Sequence, residues 1–278
     1  MARPLTSSTD RAEVTCELAF DVVDHASLAL QLAMATTVGK REVDDLVVAL
    51  NGRVVEMSEI AVEHGGRVHL VRCGAGRLTV QYRGVVLRTT APAGQGPTEA
   101  DRLVALRQSR YCPSDVLDTF AEIELGHLPR GDDRGRAIGS WVFERLQYEL
   151  GSSGPLDTAV DTMLSGRGVC RDFAHLTIAL CRALGVPARL VAVYAPGLSP
   201  MDFHAVAEVA VGDRWEVVDS TRLAPRQSLL RIATGRDAAD TAFCTTLGGW
   251  ADLVASTVTA TVDGDLPLDD HTSAVALP

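Results

Sequence analysis

The chain has 278 residues, of which 46% are hydrophobic and 22% are charged, a balance that is typical of globular proteins and excludes a fibrous repeat or a disordered chain. The formal net charge of −10 disfavours nucleic acid and anionic membranes as partners, because both carry negative charge. The first ten residues lack the apolar core of a secretion signal, and no stretch reaches the length of a membrane helix. We therefore expect a cytoplasmic protein.

Residues 1–88 are predicted to form a small antiparallel β domain. Apolar and polar residues alternate between Val14 and Val22, which is the period of a half-buried strand. Residues 89–97 contain two Pro and two Gly and are predicted to link this domain to the next. Further short strand-like runs are Leu28–Met34, Leu46–Leu50, Val68–Val71 and Leu78–Tyr82, separated by the turn sequences Asn51-Gly52, Gly65-Gly66 and Gly74-Ala75-Gly76.

Residues 98–262 are predicted to form an α+β domain in which the helices come first. Helical spacing of apolar residues begins near Leu103, Val116 and Ile138. Residues 263–278 carry four Asp and little periodicity, so we expect a flexible acidic tail. The later predicted elements are strands at Arg189–Tyr194, His204–Val211 and Arg214–Asp219, a helical run at Leu229–Ala239 and a strand at Leu253–Val262.

The six cysteines are widely spaced and contain no CxxC pair, so we expect reduced thiols rather than a disulfide framework. Cys170 differs from the others because it begins a predicted helix bounded by Gly168 and Gly185. A thiol at a helix start faces free backbone N–H groups and the positive end of the helix dipole, which favour the reactive thiolate. Burial without function is the alternative, since free cysteines are often buried.

Two neighbours of Cys170 on the same helix are predicted to be core residues. Cys181 lies about three turns further on, too far to form a disulfide with Cys170. His175 lies roughly 140° around the helix and does not easily reach the Cys170 sulfur.

A nucleophilic thiolate needs a base, and the base needs an acceptor that orients it. Gly212-Asp213 is a two-residue turn that pairs residue 211 with residue 214, and therefore residue 206 with residue 219. His204 then lies diagonally opposite Asp219, about 7–8 Å away at the backbone and within reach of a hydrogen bond. Each residue alone has an ordinary structural interpretation, whereas the coincidence with Cys170 indicates a nucleophile, a base and an orienting carboxylate.

Four motifs surround these residues, namely Gly168-Val-Cys-Arg-Asp-Phe-Ala-His175, Gly185-Val-Pro-Ala-Arg189, His204-Ala205 and Asp219-Ser-Thr221. They resemble the motifs of the bacterial transglutaminase-like superfamily. The resemblance implies a papain-like core preceded by a small antiparallel β domain. It also implies that Cys170 is the nucleophile, His204 the general base and acid, and Asp219 the residue that orients His204. Val206 and Ser220-Thr221-Arg222 differ from many members, which have Trp and Pro-Thr-Asn at these places.

The expected function is that of a thiol-dependent hydrolase or acyltransferase that attacks a peptide or amide substrate through a Cys170 thioester, most simply as a peptidase or amidase. Protein-glutamine transamidation, acyl transfer from an acyl-thioester donor as in arylamine acetyltransferases, and a catalytically idle binding module remain alternatives. The Cys170 backbone N–H is expected to bind the oxyanion, with a second donor from Tyr148, Gln147 or Trp141.

No cofactor and no metal are expected. Cys170, His175, His204 and Asp219 are all residue types that bind zinc, and a zinc site is the alternative interpretation. The spacing of Cys170 and His175 is not a usual chelating pattern, so the sequence favours a free thiolate.

Overall fold

The computed structural model describes residues 11–88 and 96–278. The predicted linker 89–97 falls almost wholly outside them, so it and the limits of the two domains stay a prediction. The first strands are β1 (Arg11–Leu30), β2 (Gly39–Leu50), β3 (Arg53–Val54), β4 (Met57–Ala61) and β5 (Arg67–Arg88). Three helices follow, α1 (Glu99–Ala105), α2 (Ser114–Leu125) and α3 (Arg134–Arg145).

The remaining elements confirm the predicted α+β class. The predicted helical run at Leu229–Ala239 is wrong over most of its length, because a strand there pairs with the strand that ends at Tyr194. Within the described residues, no helix combines the length and the apolar character needed to cross a membrane. The elements are β6 (Gln147–Tyr148), α4 (Ala159–Ser165), β7 (Arg167–Gly168), α5 (Cys170–Ala183), β8 (Ala188–Tyr194), β9 (Phe203–Val211), β10 (Arg214–Val218), β11 (Leu230–Gly235), α6 (Ala238–Thr241) and β12 (Cys244–Val262).

The N-terminal strands form an antiparallel sheet in the order β12-β1-β5-β2-β3, with β4 paired to β5. The predicted alternation in β1 is confirmed, since Val14, Cys16 and Leu18 are buried in the core of this sheet. β12, which contains the strand predicted at Leu253–Val262, pairs along β1. Alternating apolar residues identify a strand but not its partner, which here lies more than 200 residues away.

Gly74-Ala75-Gly76, predicted to be a turn, lies inside the continuous strand β5. The pairing of β5 with β1 shifts at this place, between Val22 and His25 of β1. Glycines inside a strand often mark such a bulge, because they have no side chain to pack and tolerate unusual backbone angles. The glycines therefore bend the sheet rather than end a strand.

The segment after β12 is ordered against the second domain, which differs from the predicted flexible tail. Asp269 accepts hydrogen bonds from the Arg226 guanidinium at 2.7 and 2.9 Å, and both side chains are buried. The Val217 N–H donates to the Val275 carbonyl at 2.7 Å, and Leu277 is buried. From the sequence, Asp269 indicates a solvated segment, because its buried partner Arg226 lies about 40 residues earlier in the chain.

The second sheet has the antiparallel order β10-β9-β8-β11, and α5 packs against β8 and β9 on one of its faces. Eleven of the 14 residues of α5 are buried, including Leu176 and Leu180. Across from them lie Leu190 of β8 and Val209 of β9, in the same apolar cluster. This packing fixes the position of α5 relative to β9, and so the relative positions of Cys170 and His204.

The opposite face of this sheet carries a buried ion-pair network. Glu208 on β9 pairs with Arg189 on β8 and with Arg231 on β11, at 2.7 and 2.6 Å. Burial raises the pKa of Glu208, but the two guanidinium groups outweigh it and lower this pKa to about 2. The Arg189 guanidinium also lies 3.8 Å from the centre of the Trp215 ring. The network therefore connects three adjacent strands on the face of the sheet that is opposite α5.

Glu208→Gln should lower the free energy of unfolding by roughly 3–5 kcal/mol, because it leaves two buried guanidinium groups without a carboxylate. Urea unfolding at pH 7 measures this difference. Because folding lowers the pKa of Glu208, its contribution is present above the unfolded pKa of about 4.3 and is lost as the pH falls toward 2.

The matched control is Glu13→Gln, which removes a carboxylate from an exposed pair with Arg83 and should cost no more than about 1 kcal/mol. Equal destabilisation by the two substitutions would contradict the stabilising role of the Glu208 network.

Candidate active site

Cys170 is the first residue of α5, as the sequence predicted, and its side chain is half-buried. The Val169 N–H donates to Asp172 Oδ2 at 2.8 Å, which caps the helix start. Asp172 is buried, and its Oδ1 accepts a hydrogen bond from the Ser153 hydroxyl at 2.8 Å. The Arg171 guanidinium donates to the same Ser153 oxygen at 2.6 Å. These contacts fix the turn that presents the Cys170 sulfur.

His204 and Asp219 form a buried pair next to this helix start. His204 Nε2 lies 2.9 Å from Asp219 Oδ2, and the two residues are only 2% and 5% exposed. Since a carboxylate only accepts hydrogen bonds, Nε2 carries the proton in this contact. The predicted register is confirmed: Val211 pairs with Arg214 and Ala207 with Val218, so the hairpin brings His204 and Asp219 together.

The loop after Asp219 holds the carboxylate in place. Asp219 Oδ1 accepts hydrogen bonds from the Thr221 N–H at 2.9 Å and from the Thr221 hydroxyl at 2.7 Å. The Ser220 hydroxyl lies 2.6 Å from that of Thr177 on α5, which ties the loop to the helix. No role is predicted for Thr221 from the sequence, although Asp followed two residues later by Thr is a common local turn that provides this contact.

The charges in the site favour a protonated imidazole. Burial lowers the pKa of His204, but the Asp219 charge, its hydrogen bond and the Cys170 side chain together raise it to about 10. Burial raises the pKa of Asp219, but the His204 charge and hydrogen bonds lower it below the usual value. His204 Nδ1 is buried, and no hydrogen-bond partner for it is found among the described residues. Cys170 is nevertheless close enough to raise the pKa of the ring.

Tyr148 is the predicted oxyanion donor that lies nearest to Cys170. It pairs with Gly168 in the parallel two-stranded ribbon β6–β7, directly before the helix start. Burial and the Cys170 and Asp202 side chains raise the pKa of Tyr148 to about 12, partly offset by a hydrogen bond from the Cys170 N–H. Its hydroxyl therefore lies close to the Cys170 N–H.

The other two candidates for this role lie elsewhere. Gln147 is exposed and pairs with Arg167, one step further from Cys170 along the ribbon. Trp141 packs edge to face on Phe120, with the ring centres 6.0 Å apart, next to the apolar cluster of the second domain.

The remaining thiols have environments that suppress ionisation. Burial raises the pKa of the Cys16, Cys112 and Cys181 thiols to about 12 and that of Cys244 to about 11. Burial also raises the pKa of Cys73. Cys181, a residue of α5, is fully buried in the apolar cluster that α5 forms with the second sheet, as expected for a core residue.

His175 is a structural residue, as its position on the helix predicted. Its Nε2 accepts a hydrogen bond from the Ala238 N–H at 3.1 Å, and its ring stacks on Tyr111 with the centres 5.2 Å apart. Burial lowers the pKa of His175 to about 3, so the ring is neutral. Among residues 11–88 and 96–278, no group of three or more His, Cys, Asp or Glu side chains is arranged to hold a metal ion.

Val206, at the place where many transglutaminase-like proteins have tryptophan, is buried in an apolar cluster with Val191 and Val217. It lies two residues after His204 on β9 and fixes the strand from within the core. The substitution is therefore accommodated by packing rather than by a surface contact.

The sequence profile of the transglutaminase-like superfamily matches residues 121–220, which include Cys170, His204 and Asp219. A proposed cysteine protease from Cytophaga hutchinsonii has a similar structure, with 31% identity and a TM-score of 0.85 over 95% of each chain. The periplasmic domain of TgpA from Pseudomonas aeruginosa is 18% identical, covering 77% of this chain and 91% of that domain with a TM-score of 0.40.

The uncharacterized protein ML0607 of Mycobacterium leprae is 29% identical over 150 residues, which are 49% of this chain and 52% of that protein. The match thus spans about half the length of this relative. The similarity to the Cytophaga hutchinsonii structure extends over nearly the full length of both chains, and the profile matches the segment that carries the Cys170, His204 and Asp219 motifs. The chain belongs to the transglutaminase-like superfamily.

Proposed function

We propose that this protein is a thiol hydrolase that cleaves peptide or amide bonds through a thioester on Cys170. The observation that carries the proposal is the buried 2.9 Å hydrogen bond between His204 and Asp219, next to a cysteine at the first residue of a helix. A histidine whose protonated form is stabilised beside a half-buried thiol is the arrangement that thiol nucleophiles need. The description of the Cytophaga hutchinsonii relative as a proposed cysteine protease supports hydrolysis.

In the proposed reaction, His204 Nδ1 takes the proton of the thiol and the Cys170 sulfur attacks the carbonyl carbon of the substrate. The tetrahedral intermediate collapses to a thioester as His204 donates its proton to the leaving amine. Water then attacks the thioester while His204 takes one of its protons, which releases the acid and restores the thiol. Asp219 fixes the ring with Nε2 protonated and stabilises its positive charge.

The negative charge of the tetrahedral intermediate needs hydrogen-bond donors next to the sulfur. We assign this role to the Cys170 N–H and the Tyr148 hydroxyl, which lie close together. The β6–β7 ribbon holds Tyr148 there, so the donors are oriented before the substrate binds.

Iodoacetamide at about pH 6 should alkylate Cys170 at least about tenfold faster than any other cysteine, because burial suppresses ionisation of the others. Digestion followed by mass spectrometry gives the rate at each of the six sites. Similar rates at Cys170 and at the half-buried Cys73 would exclude Cys170 as an activated nucleophile.

Asp219→Asn should slow the turnover of p-nitrophenyl acetate by about 10²–10⁴-fold, because the amide keeps the shape but no longer stabilises the protonated ring. Release of p-nitrophenolate measures the rate. Asp213→Asn, in the exposed turn of the same hairpin, is the control and should retain the wild-type rate. A near wild-type rate for Asp219→Asn would reduce the catalytic residues to Cys170 and His204.

Tyr148→Phe should slow acylation by p-nitrophenyl acetate by about 10²–10³-fold, the usual cost of removing one oxyanion donor. The rate of Cys170 alkylation by iodoacetamide should stay unchanged, since that displacement forms no tetrahedral oxyanion. If both rates fall together, Tyr148 acts on the thiol itself and the assigned role is wrong.

A further inference from the structure

An apolar cavity of about 430 Å³ lies where the loop before His204 meets the end of β12. Leu198 and Met201 of the loop form one side, and Val262 and Leu266 form the other. None of the residues that line it, all in the described part of the chain, has a charged side chain. Its volume is large enough for one large side chain, and its lining favours an apolar one.

The chain connects this cavity to the candidate active site. Met201 precedes His204 by three residues, so the loop that lines the cavity continues directly into the strand that carries the base. Asp202, between them, influences the ionisation of Tyr148, which lies beside Cys170, and of Cys16 on β1. Cys16 pairs with Val258, two residues before a β12 residue of the cavity wall.

The rim of the cavity leaves large apolar side chains partly uncovered. Met201 is 45% exposed and Leu266 is 41% exposed. Gly197 has φ +99°, and a Cβ at this position would lie 2.9 Å from Leu266 Cδ1. The glycine therefore lets the segment after β12 approach the loop closely and close one side of the cavity.

We propose that this cavity is a subsite that binds a large apolar side chain of the peptide substrate, close to the bond that Cys170 attacks. The proposal rests on the proposed function and adds a substrate class to it. The absence of charge in the lining selects against acidic and basic side chains, since these would lose hydration without gaining a partner. The N-terminal sheet takes part in substrate selection, because β12 supplies one wall of the subsite.

The test uses tetrapeptide amides with an N-terminal iodoacetyl group that alkylates Cys170. In each reagent one position is leucine and the other three are glycine, and a second set has aspartate in place of leucine. At one position, the leucine reagent should react with Cys170 at least about tenfold faster than the aspartate reagent.

Leu266→Glu and Met201→Glu should each bring this ratio close to one, with both rates divided by the rate of iodoacetamide on the same variant. Both residues are at the rim, so both variants should fold, which circular dichroism checks. The matched control is Leu268→Glu, the same change two residues further on at a side chain that is 98% exposed and outside the cavity. It should keep the preference for leucine.

Equal rates for leucine and aspartate at all four positions, or a preference that survives Leu266→Glu and Met201→Glu, would overturn the subsite. The rate with iodoacetamide tests the nucleophile separately, so a slow reaction there contradicts the proposed function instead. In that case, calorimetric binding of the leucine tetrapeptide amide without the iodoacetyl group decides the subsite. Weaker binding to Leu266→Glu than to Leu268→Glu supports it, and equal binding overturns it.

Discussion

A charged histidine and a carboxylate can be buried together only if they pair with each other, and His204 and Asp219 do so through a 2.9 Å hydrogen bond. The two-residue turn of the β9–β10 hairpin sets the register that brings them together. Thr221 satisfies the second oxygen of the carboxylate, and the contact between Ser220 and Thr177 fixes the loop to α5. The same helix carries Cys170, so the contacts that stabilise the pair also position the thiol beside it.

The two faces of the second sheet contribute to this arrangement in different ways. On one face, α5 packs through apolar side chains and holds its first turn at the edge where β9 begins. On the other face, Glu208 connects β9 to both β8 and β11 through buried arginines. The strand that carries His204 is therefore fixed by apolar packing on one face of the sheet and by ion pairs on the other. The N-terminal sheet is joined to the second sheet because β12, which follows the second sheet in the chain, pairs with β1.

Local signals in the sequence predicted the start of α5, its end before Gly185 and the register of the hairpin, because each depends on residues that are neighbours in the chain. Contacts between distant segments of the chain could not be predicted from such local signals. The pairing of β12 with β1 and the burial of Asp269 against Arg226 each join distant segments, and no local pattern specifies such a partner. The cavity beside Met201 belongs to the same group, since its walls come from two separate parts of the chain.

The proposed reaction passes through a covalent acyl intermediate on Cys170. Its most direct test is to incubate the protein with a library of peptides and amides, stop the reaction with acid, and measure the mass of the Cys170 peptide. Cys170 should carry an added acyl group that is labile to hydroxylamine, and the Cys170→Ala protein should carry none. Turnover of a library member with no acyl group on Cys170, or with the group on another residue, would contradict it.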